Sequence, residues 1–63
     1  MIEDIIVDTL ADNGVMEAHA LVRTVMEYDC TEDEAVEALN RLYDQERIRS
    51  WPDEDGDYMV ALL

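Results

Sequence analysis

Asp4, Asp8 and Asp12 recur at every fourth position, and Ile2, Ile5, Ile6, Val7, Leu10 and Ala11 fill the places between them. This spacing predicts a helix over residues 2–12. Its apolar arc covers roughly twice the ~100° of an ordinary surface helix. Such a helix is either central in a core or packed on two sides, one of them against another chain. Asp12-Asn13-Gly14 stops it, because Gly or Asn just past a helix takes the left-handed conformation cheaply. A second amphipathic segment runs over 16–28. Ala18, Leu21, Val22, Val25 and Met26 share its apolar face, with Tyr28 at the edge, and Asp29-Cys30 breaks it.

The third helix has the clearest start. Thr31-Glu32-Asp33-Glu34 is a capping box, in which the Thr31 hydroxyl accepts from the Glu34 amide and the Glu34 carboxylate reaches back. Three acids in the first turn suit the positive end of the helix dipole. Ala35, Val36, Leu39, Leu42 and Tyr43 are its expected buried face, and the pattern fades near Glu46. Glu37 and Arg41 stand at i, i+4, a pair worth a few tenths of a kcal/mol. Residues 47–51 alternate like a strand, 52–57 are a polar turn, and 58–63 form a second strand, apolar on both faces. Two strands around a polar loop make a β-hairpin.

Composition changes the picture through charge. The chain carries 17 acids against four arginines, no lysine, and a formal charge of −13 on 63 residues, yet 49% of its residues are apolar. It is therefore one small folded domain, residues 1–63, and not a disordered acidic tail. Charges of one sign repel at low salt, and molar salt shrinks the Debye length to ~3 Å. Such a surface fits either a salt-filled cytoplasm or imitation of a nucleic acid's phosphates, and the absence of lysine resembles proteins of extreme halophiles. One Cys and one His exclude a disulfide scaffold and a Cys/His zinc module. No apolar run approaches the ~20 residues of a membrane helix. Met1-Ile2-Glu3-Asp4 lacks the basic start of a signal peptide, so a cytoplasmic location is expected.

Three helices followed by a hairpin is the order of a winged helix-turn-helix domain, which the chain resembles over nearly its whole length. The most specific stretch runs from Thr31 to Ile48: a capped helix, an apolar stripe ending near Leu42, and a short polar exit into an Ile. It resembles that family's recognition helix and the start of its wing. Ala18 and Leu21-Val22 look like packing positions of the preceding helix. With its acidity, the chain resembles small haloarchaeal winged-helix proteins. The resemblance implies an α+β fold, a three-helix bundle plus a C-terminal two-stranded hairpin. It also implies a non-enzymatic regulator acting in transcription through DNA or a DNA-bound complex, as a homodimer.

The departure from the family is chemical. DNA-binding members place Arg, Lys, Asn, Gln or Ser on the outer face of the third helix. Here those positions are Asp33, Glu34, Glu37, Asn40, Arg41 and Asp44, and the wing tip holds Asp53, Glu54, Asp55 and Asp57. DNA affinity normally rests on cations meeting phosphates, so this face is repelled at ordinary ionic strength. If DNA is read, Asn40 and Arg41 carry the work, with Arg49 on the backbone; Glu37 and Asp44 belong to the same binding face, whether its partner is DNA or protein. A protein-interaction adaptor and an acidic DNA mimic blocking a nucleic-acid enzyme are the alternatives. The broad arc of the first helix and the apolar last strand suggest a dimer through Ile2, Ile6, Leu10 and Leu63. No cofactor or metal is expected: Asp53–Asp57 has its Gly at the wrong position for a calcium loop, and His19 and Cys30 have no catalytic companions. Trp51 is read as packing the wing onto the helices or anchoring a partner.

Overall fold

The computed structural model describes residues 1–63. The elements are α1 (Ile2–Asn13), β1 (Met16–Glu17), α2 (Ala18–Met26), α3 (Glu32–Asp44), β2 (Ile48–Pro52) and β3 (Tyr58–Leu62). The architecture is α+β, with three helices against one antiparallel sheet in strand order β1-β3-β2. The hairpin β2–β3 forms as its pattern predicts, pairing Ile48 with Leu62 and Pro52 with Tyr58. The expectation of only two strands is corrected. Met16 and Glu17, read as the start of the second helix, pair instead with Val60 and Met59. Two residues are too few to show an alternating pattern, and their partner lies at the other end of the chain.

The breadth of α1's apolar arc is absorbed inside the molecule, because α1 packs against α2, α3 and β3 together. Ile6 and Leu10, expected at a dimer interface, are 0% and 1% exposed in the chain's own core. Neither is within reach of a second copy. Ile2 packs half-buried against the same core, and of the four only Leu63 is exposed. Gly14 ends α1 at φ 76°, ψ −115°, with its amide donating to Leu10 O at 2.7 Å. A side chain there would strain the backbone.

The α2 helix starts where Glu17 turns its carboxylate back to accept from the Ala20 amide, at 2.8 Å. It ends before Asp29, whose φ is 64°. The α3 capping box forms as the sequence predicts, with Thr31 Oγ1 accepting from Glu34 N at 3.2 Å and Glu34 Oε1 from Thr31 N at 2.9 Å. Cys30, just before it, packs against the core and donates its thiol to Val25 O. The buried face of α3 is Ala35, Ala38 and Leu42, with Leu39 half-buried. The two alanines let α3 lie close to its neighbours. Val36 and Tyr43, expected on that face, are exposed. They sit round the helix toward the sheet, where β2 and β3 leave a gap.

β3 is the central strand, paired along one edge with β2 and along part of the other with β1. Val60 enters the helical core, and Ala61 is buried on the opposite face, beside Arg49 on β2. The 53–57 turn uses its first carboxylate internally: Asp53 Oδ1 accepts from the amides of Asp55 and Asp57 at 2.9 and 3.0 Å. No helix is long and apolar enough to cross a membrane.

Candidate interaction surface

The outer face of α3 begins as a row of acids. Asp33, Glu34, Glu37, Asn40, Arg41 and Asp44 are all exposed, as the helical spacing predicts. Glu37, Arg41 and Asp44, four and three residues apart, share one stripe. The expected Glu37–Arg41 pair is replaced by a longer connection: Arg41 Nη2 donates to Glu3 Oε1 of α1 at 3.3 Å. The Arg41 guanidinium, through this hydrogen bond, holds the Glu3 carboxyl below its ordinary pKa. The one cation of α3 is thus partly neutralised from behind, and Asn40 is the only other conventional base reader on the helix.

Arg49 is similarly engaged. Strand alternation puts Ser50 and Val60 on the sheet face toward the helices and Arg49, Trp51, Met59 and Ala61 on the other. The Arg49 guanidinium lies over the Trp51 ring, 5.0 Å from its centroid, a cation–π contact. Trp51 therefore packs on the outer side of the β2–β3 hairpin and not between the hairpin and the helices. Arg49, Asp44 and Leu63 also border a depression beside β2, so these three expected site residues are brought together. Glu37 and Asn40 are not part of it.

Between α3, the start of α2 and the inner sheet face runs an open groove of about 420 Å³. Val22, Val36, Leu39, Tyr43, Tyr58 and Val60 supply its apolar walls. Asn40, His19 and Ser50 supply its polar atoms. Val36, Tyr43 and Tyr58 are 41%, 55% and 57% exposed, so these walls of the groove stand in water. Of the expected site residues only Asn40 lines it. The signal for the others was present: α3 has more apolar positions than the single stripe needed to bury it.

Glu17, His19 and Asp57 each place one potential ligand atom within 4.8 Å of the others, joining the α2 start to the β2–β3 turn. The sequence gives no hint of this, since Asp57 is far along the chain. Glu17 already has two tasks. One oxygen caps Ala20, which with the neighbouring His19 holds the carboxyl below its ordinary pKa. The other lies 3.0 Å from His19 Nδ1. This corner is explained as a capped helix end, with His19 and Asp57 open to solvent.

Comparison with family models, curated proteins and solved structures gave no match.

Proposed function

We propose that the chain is a small non-enzymatic regulatory domain of winged-helix type, acting in transcription through a DNA-bound protein complex. The order α1-β1-α2-α3-β2-β3, with β1 joining the hairpin, is compatible with that fold. The fold alone serves both DNA binding and protein assembly, so the surface must decide between them. The observation that carries the reading is the outer face of α3. It presents Glu37 and Asp44, and its Arg41 is drawn back onto Glu3. Four acids in or beside the wing turn, Asp53, Glu54, Asp55 and Asp57, stand where cations would meet phosphates. A helix of this kind repels duplex DNA and suits a protein surface bearing Lys or Arg.

Retention of genomic DNA fragments tests the reading, with wild type and Glu37→Gln compared at ~0.1 and ~2 M KCl. Neither protein is expected to hold DNA on its own. Specific retention that Arg41→Ala weakens by ~1–3 kcal/mol would establish direct readout instead.

A further inference from the structure

We propose that the groove beside α3 is the docking site for an amphipathic helix of a basic protein partner, its apolar residues seated against Val36, Leu39, Tyr43 and Tyr58. This deepens the reading above and rests on it. The occupant's chemistry follows from the walls and the rim. The walls are largely apolar, and the groove is open to solvent, which suits side chains projecting from a helix better than an enclosed small molecule. Its volume of about 420 Å³ accommodates a few large side chains. No arginine lines it. Arg41 is tied to Glu3 and Arg49 lies over Trp51.

Exposed acids are the chain neighbours of its walls: Glu37 follows Val36, Asp44 follows Tyr43, and Asp57 precedes Tyr58, with its carboxylate within 4.8 Å of the His19 ring that lines the groove. A helix entering there approaches a chain of net charge −13, so Lys or Arg beside its apolar stripe is attracted. Tyr43 and Tyr58, both exposed, add aromatic partners for the same groups. A second copy of this chain carries −13 itself, which opposes its entry into the groove.

The probe is a synthetic helical peptide with Leu along one stripe and Lys on its flanks, titrated into the ¹⁵N-labelled chain. Two control peptides are used, one with the leucines replaced by Ser and one with the lysines replaced by Glu. Saturable shifts are expected at Val36, Asn40, Tyr43 and Tyr58, with the indole of Trp51 unmoved as an internal reference. Val36→Glu and Tyr43→Ala alter exposed positions, and an unchanged thermal melt verifies their fold. Each is expected to weaken binding about tenfold or more. Equal binding of the Leu and Ser peptides overturns the proposal in favour of bare charge attraction. So does equal binding by wild type and Val36→Glu. Absence of binding by the Leu/Lys peptide overturns it, as does concentration-dependent self-association that Val36→Glu abolishes. The DNA-retention test contains no peptide, so the two ideas fail separately: a chain that holds neither DNA nor peptide removes the groove proposal and leaves the parent reading in place.

Discussion

Leu42 and Val36 stand six positions apart on α3, and both look like core residues in the sequence. The structure separates them, burying Leu42 completely and leaving Val36 in the groove. Leu42→Ala is therefore expected to cost ~2–5 kcal/mol, enough to unfold a domain of this size, while Val36→Ser stays within ~0.5 kcal/mol. Paired thermal melts check this. The Thr31 cap was fully legible because both partners lie within one turn, and Thr31→Ala is expected to cost ~1 kcal/mol. Arg41's partner was not legible. A helix offers Glu37 at i−4, and only packing of α1 against α3 brings Glu3 closer. Glu3 and Glu17 also give a pH signature. Both carboxyls have lowered folded pKa values, so each stabilises above the ordinary carboxylate value of 4.5 and loses that effect as pH falls through its folded value. The melting difference between wild type and Glu17→Ala is thus expected to be largest near neutrality and to shrink in acid. A constant difference across that range would mean that the cap acts without its charge.

At the level of elements, α1, α3 and the β2–β3 hairpin could be read from local pattern, because each carries its periodicity within a dozen residues or so. β1 could not, since its two residues acquire strand character only by pairing with Met59 and Val60. The same hidden pairing sets the place of β3 in the sheet: with β1 unrecognised it had one paired edge, and with β1 in place it is the central strand. Its backbone is therefore flanked on both sides at Met59 and Val60, while β2 keeps one free edge. Hydrogen exchange is expected to show the amides of Met59 and Val60 among the slowest in the chain, and the outward amides of β2 among the fastest. Fast exchange of the β1-facing amide within Met59–Val60, with the β2-facing amides of β3 still slow, would mean that β1 does not hold.

For the whole molecule, a charge of −13 is confined within a radius of gyration of 10.6 Å. Only two ion pairs are made, the Met1 amine with Asp4 and Arg41 with Glu3, both at the surface, so little of that repulsion is offset locally. The melting temperature is expected to rise between ~0.1 and ~2 M KCl, and an unchanged midpoint would remove the case for a salt-adapted surface. Burial of Ile6 and Leu10 takes away the centre of the expected dimer interface. Light scattering in high salt is accordingly expected to give the mass of one chain. The charge itself was plain in the sequence, but its consequence for α3 was not, because that depended on where Arg41 and Arg49 came to rest. The decisive experiment is titration of duplex DNA into the ¹⁵N-labelled chain at ~0.1 and ~2 M KCl, following the amides of Glu37, Asn40 and Arg41. An α3 that serves a protein partner leaves all three unmoved at both salts. Saturable shifts at Asn40 and Arg41 that vanish in Arg41→Ala would show that the helix reads DNA directly.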